Sequence, residues 1–281
     1  MKESRTALGV AWLRAVHQLL DPEPRILVDP PIVDLLGRPA LAPGSDITER
    51  MQAPGARLLR AHVVLRSRFA EDRLMESAAR GVAQYVILGA GYDTFFARQP
   101  EWARKLRIFE IDQPATQRDK LAKISAAGLA VPSNVVFGSV NFEVESLAEG
   151  LARHGVSFDQ PTFFSWLGVT MYLTEPAIDA TLATVRSFPR DSEIVLTFAS
   201  RPTTAELEAA GGGNTSRLAQ MAAAVGEPWI SYFEPAEIER KLRRAGFPDV
   251  LLLTPELARE RYFARQELPL PMRTSIVSAV V

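Results

Sequence analysis

The residues best placed to do chemistry lie within positions 84–120, where Gly89-Ala90-Gly91 interrupts an apolar run at 85–88 and Asp112 closes a second run at 106–111. The segment reads as strand, glycine turn, helix, strand, with Asp112 standing 21 positions after Gly91. Glycines let a backbone approach a ligand where a Cβ would collide, and the start of a following helix offers unpaired N–H groups. A carboxylate at the end of the second strand shares the crevice beyond the carboxyl edge of the sheet. There it can accept hydrogen bonds from both hydroxyls of a ribose. The spacing therefore predicts a ribose-bearing ligand.

Which ribose compound follows from what is missing. A dinucleotide site needs G-x-G-x-x-G/A so that a pyrophosphate can sit on the helix N-terminus, but the third position here is Thr94, and Asp93 follows Gly91-Tyr92 directly. A carboxylate there repels a pyrophosphate. It suits S-adenosyl-L-methionine, whose sulfonium and α-ammonium are positive and which carries no phosphate.

GAGYDTFFAR followed by FEIDQPATQRDK resembles the leucine carboxyl methyltransferase family, in its bacterial branch of S-adenosylmethionine-dependent O-methyltransferases of polyketide type. The resemblance extends to SRTALGVAWLRAVH (4–17), DPPIVDLLG (29–37), RSRFAEDRL (66–74), FFSWLGVTMYLT (163–174) and RYFAR (261–265), and so to nearly the whole chain. It implies an α/β fold of the class I methyltransferase type: a Rossmann-like doubly wound sheet, mostly parallel, with an antiparallel C-terminal strand and an N-terminal helical cap. It also implies cofactor contacts from Gly89, Ala90, Gly91, Asp93, Asp112 and Gln113. Arg66, preferred over Arg68, would meet the carboxylate of the cofactor's methionine half, a task suited to a bidentate guanidinium. Glu71 and Asp72, later in the same stretch, offer these arginines an intrahelical ion pair on a solvated face as the alternative.

Two departures from the family pattern bear on the site. Asn141 stands where relatives place an acid against the adenine amino group; its amide oxygen can still accept, and Phe142 supplies an aromatic surface for the ring. Leu167 replaces a glutamate before Gly168-Val169, so Ser165, Trp166 or backbone carbonyls around Leu167 would take over that role. No residue is assigned a catalytic role. His17, His62 and His154 belong to no motif, and neither HExxH nor a metal-spaced acidic cluster occurs.

The elements that must hold these residues follow from periodicity. Residues 1–80 read as helices capping the site, from apolar spacing at 7–20 and 56–79. Residues 81–281 read as the cofactor-binding domain, with strands at 85–88, 106–111, 134–137, 162–167, 193–198, 250–253 and 275–281, and a helix at 235–245. Alternating strands and helices imply a parallel sheet covered on both faces. The stretch 201–232, broken by Gly211-Gly212-Gly213-Asn214, reads as a lid or as a plain surface helix-turn-helix.

Composition agrees with a soluble enzyme of small molecules. The net charge is −1 with no basic stripe, which argues against nucleic acid. The absence of cysteine excludes disulfides, thiolate metal sites and a cysteine nucleophile. No apolar run is long enough to span a bilayer and the N-terminus lacks a cleavable leader pattern, so a cytoplasmic location is expected. The expected partner is a small-molecule methyl acceptor. Rival readings are an NAD(P)-dependent oxidoreductase on the same sheet and a catalytically silent cofactor-binding protein. An α/β-hydrolase lacks its G-x-S-x-G.

Overall fold

The structure is a computed structural model describing residues 3–37, 45–140, 144–209, 211 and 216–281. Its centre is a 7-stranded sheet in the order β3-β2-β1-β4-β5-β7-β6. The strands are β1 (Gln84–Leu88), β2 (Arg107–Asp112), β3 (Val135–Ser139), β4 (Thr162–Trp166), β5 (Glu193–Thr197), β6 (Asp249–Leu252) and β7 (Ile276–Val280). β1 to β5 run parallel, and β7 lies antiparallel between β5 and β6. All seven lie within one or two residues of the runs expected from sequence.

Alternation along each strand builds two cores. Val86, Leu88, Phe109, Ile111, Phe164 and Trp166 face one side, where they meet α7 (Glu175–Arg186) through Ile178, Leu182 and Val185 and α10 (Pro235–Arg244) through Ile238 and Leu242. Tyr85, Ile87, Ile108 and Phe163 face the other. Successive strand side chains point to opposite faces, so the parallel strands of a sheet covered on both sides read as nearly continuous apolar runs.

One expected element is absent: no α-helix follows the glycine turn. The chain between β1 and β2 instead makes two 3-10 turns, Phe95–Ala97 and Glu101–Lys105. Phe95 and Phe96, adjacent in sequence, are buried in different clusters, which holds the chain in a tight turn, and Pro100 cannot donate to a continuing helix. The face such a helix would cover is taken by α4 (Pro54–Ala79), whose Ala61, Val64, Leu65, Phe69 and Leu74 join Tyr85, Ile87, Ile108 and Phe163 in one core.

The N-terminal helices thus divide. α4 is a layer of the sheet domain, whereas α1 (Arg5–Leu20) and α2 (Pro30–Leu35) rest on the glycine turn and on α5 (Pro114–Ala126): Ala11, Ala15, Ile32, Val33 and Leu35 cluster with Tyr92, Phe96 and Ile124. In the 201–232 stretch the described helices are α8 (Thr204–Ala209) and α9 (Arg217–Ala224). Gly212, Gly213 and Asn214 lie outside the described residues.

Candidate cofactor site

Strand order reverses at β1, which pairs with β2 on one side and β4 on the other. The crevice beyond the carboxyl ends of strands at such a switch point is where open α/β sheets bind ligands. Gly89 and Gly91 turn there at φ 68° and 51°. A Cβ on Gly89 would lie 2.4 Å from Val169 Cγ2, so the turn after β1 and the loop after β4 touch at this point only because the residue is glycine.

Asp112 ends β2 in that crevice. Its Oδ2 accepts from Gly91 N at 2.5 Å and its Oδ1 from Gln113 N at 2.6 Å, which fixes the carboxylate while leaving each oxygen a further lone pair. Burial pushes its pKa up and the two N–H donors oppose that. Ala90 is buried beside the turn, and Gln113 is exposed at the N-cap of α5. Asn141 and Phe142 lie outside the described residues.

The network around Asp93 was not foreseen. Its Oδ2 accepts from Arg14 Nη1 at 2.8 Å and its Oδ1 from Phe95 N at 2.7 Å, so its cationic partner in the structure comes from α1. Arg14 also donates to Asp29 Oδ2 at 2.9 Å and to Thr94 Oγ1 at 3.2 Å, and Thr94 donates to Asp29. Burial would raise the Asp93 carboxyl, but the Arg14 and Arg98 guanidiniums hold it well below its ordinary value. Thr94, the residue that breaks the dinucleotide fingerprint, is thereby buried in a bond linking the turn to the segment before α2.

The arginines sort themselves by partner. Arg68 pairs with Asp72 one turn on, at 2.9 Å, and Arg98 pairs with Glu71 at 2.5 Å and with Asp29 at 3.2 Å. Arg66 has no hydrogen bond or ion pair among the described residues, although it is only 9% exposed. Its guanidinium lies against the turn after β4: a Cβ on Gly168 would lie 2.8 Å from Arg66 Nη1. Burial and the neighbouring Arg14 pull its pKa down to about 10. Asp93, itself paired with Arg14, and Tyr172 act on it only at a distance, so no carboxylate is bonded to this nearly buried guanidinium among the described residues.

The loop after β4 is anchored by Gly168 N donating to Thr197 Oγ1 at 2.7 Å and Thr170 Oγ1 donating to Thr197 O at 2.6 Å. Of the stand-ins expected for the missing glutamate, Ser165 Oγ lies 2.9 Å from Tyr85 Oη and Trp166 is a core residue. Leu167 packs against the cluster under α4.

The strand order, the switch at β1 and the antiparallel β7 between β5 and β6 define the class I methyltransferase fold. Among solved structures, a DUF574 family protein from Streptomyces avermitilis aligns with TM-score 0.58 at 14% identity, covering 85% of this chain and 93% of that one. An O-methyltransferase structure from Nostoc punctiforme aligns with TM-score 0.50 at 13% identity over 95% of this chain and 72% of that one. At such identities these likenesses concern the fold alone.

Sequence comparison is more specific. Residues 7–186 match the family described as leucine carboxyl methyltransferase. A Bacillus subtilis (strain 168) protein named "Putative S-adenosyl-L-methionine-dependent methyltransferase YktD" is 32% identical over 95% of this chain and 93% of its own length. A similarly named Streptomyces coelicolor protein, SCO7813, is 30% identical over 70% of this chain and 69% of its own length. The chain belongs to the leucine carboxyl methyltransferase family of S-adenosyl-L-methionine-dependent methyltransferases.

Proposed function

We propose that this methyltransferase methylates an oxygen of a small molecule, with a carboxylate as the leading acceptor class. The cofactor contacts in this reading come from the turn at Gly89-Ala90-Gly91, from Asp112 to the ribose hydroxyls, and from Arg66 to the carboxylate of the methionine half. Asn141 and Phe142 would serve the adenine. When bound, S-adenosyl-L-methionine supplies a methyl group on a sulfonium, already an excellent leaving group. The chain's task is then to hold an acceptor oxygen in line and to exclude water.

Two observations support the cofactor contacts. Arg66 is a nearly buried cation with no directly bonded carboxylate among the described residues, which an anionic group of the ligand would supply, and each Asp112 oxygen keeps a lone pair after binding a backbone N–H. Against a nicotinamide dinucleotide stands the lack of an α-helix after the glycine turn, which leaves no helix N-terminus for a pyrophosphate. The chain also has Asp93 and Thr94 committed to the cap.

The observation that carries the oxygen acceptor is the indole of Trp229. Its Nε1 is buried with no hydrogen-bond partner, while the next residue, Ile230, donates its N–H to Met171 O at 2.6 Å in the loop after β4. An unpaired buried donor costs about 1–3 kcal/mol, and an acceptor oxygen would relieve that cost. The histidines support an acceptor that arrives ionised. His17 is tied to Asp21 at 2.7 Å and His154 lies 3.1 Å from Ser139 O, while burial and the Arg66 guanidinium bring His62 down to about 3.

The pH dependence tests this reading. Screening carboxylic acids and phenols by mass spectrometry for a methyl gain identifies the acceptor. The single-turnover rate with a carboxylate should then stay nearly flat from about pH 6 to 9, because carboxylates titrate near pH ~4 and His62 is neutral throughout. A steep rise in that window, abolished by His62→Asn, would show a protein base at work.

A further inference from the structure

The segment that follows α9 runs from the end of β5 past the loop after β4 to the start of α1. Phe233 N donates to Ala199 O at 2.8 Å, just past the end of β5. Ser231 Oγ donates to Leu173 O at 2.5 Å and Ile230 N to Met171 O at 2.6 Å, beyond the end of β4. Glu227 then reaches the first turn of α1. Its Oε1 accepts from Arg5 N at 2.8 Å, and its Oε2 accepts from Ser4 Oγ at 3.0 Å and from Thr6 Oγ1.

That first turn of α1 itself sits on the loops after β1 and β2. Ser4 N donates to Thr116 Oγ1 at 3.2 Å in the opening turn of α5, and a Cβ on Gly91 would lie 3.2 Å from Ala7 Cβ. α1 has no acidic residue in its own first turn. Glu227 supplies from another element the negative charge that a helix N-terminus favours, together with an acceptor for one of its orphan N–H groups. The contact is local to the strap and the helix end, so breaking it frees both without touching the core.

We infer that Glu227 is a positioning residue: it latches the 227–233 strap onto α1 and so controls how fast the cofactor product leaves the crevice. The inference rests on the cofactor site proposed above. Opening the latch releases the strap from the cap and frees the first turn of α1, whose Ala7 lies against Gly91 in the turn assigned to the nucleoside. Arg14 continues to hold the far half of α1 through Asp93 and Asp29, so release concerns the N-terminal turn alone.

Stopped-flow measurement on the full chain, with S-adenosylhomocysteine as the probe, compares wild type with Glu227→Gln and Glu227→Ala. The alanine variant should release the probe about tenfold faster, because interface changes act mainly on dissociation, and glutamine, which keeps one acceptor oxygen, should fall between. Added salt should speed release from wild type more than from the alanine variant, since the Glu227 contact adds to the charged contacts that salt screens. Trypsin should cut after Arg5 faster in ligand-free Glu227→Ala than in wild type. Release at the wild-type rate from both variants, or unaltered cleavage at Arg5, would overturn the latch while leaving the cofactor site intact. Failure of wild type to bind the probe would overturn the cofactor reading and the latch with it.

Discussion

Asp112→Ala should bind S-adenosylhomocysteine at least about tenfold to a hundredfold more weakly than wild type, while remaining folded. The carboxylate is held by Gly91 N and Gln113 N, so both oxygens are fixed before a ligand arrives. Charge-assisted hydrogen bonds contribute about 1.5–3 kcal/mol each, and about 1.4 kcal/mol is a factor of ten in affinity. Loss of one bond already gives the lower figure and loss of both the upper. Asp112 ends an edge of the crevice and packs in none of the cores, so the fold should persist. Calorimetry on the two proteins checks this, and equal affinity would mean that Asp112 is not the ribose ligand.

Lys120→Met should cost about 3–5 kcal/mol of stability at pH 8, because breaking a buried ion pair leaves the remaining charge without compensation. Lys120 and Glu110 form an ion pair between α5 and β2, both fully buried, and Glu110 Oε1 has no other partner. Burial pushes Glu110 up to about 7 even with Lys120 beside it. Its folded pKa is therefore raised above the unfolded value, so the protonated form stabilises the fold at low pH and that contribution fades as pH rises. Without the cation the rise should be larger. The deficit of the variant should then shrink at pH 5, where Glu110 can be buried neutral. Urea unfolding at pH 5 and pH 8 measures both deficits, and an equal deficit at the two values would show that Glu110 does not titrate between them.

The strands were legible because each is a short apolar run bounded by turn residues, the signature of a parallel sheet buried on both faces. The 85–88 and 106–111 runs, with Asp112 closing the second, set the crevice from sequence alone. Absence of the helix after the glycine turn was not legible. Local propensity says little about Phe95 and Phe96 entering different clusters, and the face they leave open is covered by α4, which lies before β1 in the chain. The same distance hid the Asp93 network, since Arg14 is 79 positions from its partner. The intrahelical alternative holds for Arg68, which pairs with Asp72 four positions on, whereas Glu71 turns to Arg98, 27 positions away, a partner no local spacing announces. The Trp229 indole and the Glu227 contact with α1 had no local pattern to announce them, because both depend on a strap meeting elements from opposite ends of the chain.

Calorimetric titration of the purified chain with S-adenosyl-L-methionine, S-adenosylhomocysteine and NAD is the most direct test of the central claim. Saturable heat with both sulfur compounds below on the order of 1 mM, and none with NAD, is the expected result. Saturable heat with NAD and none with either sulfur compound would contradict it.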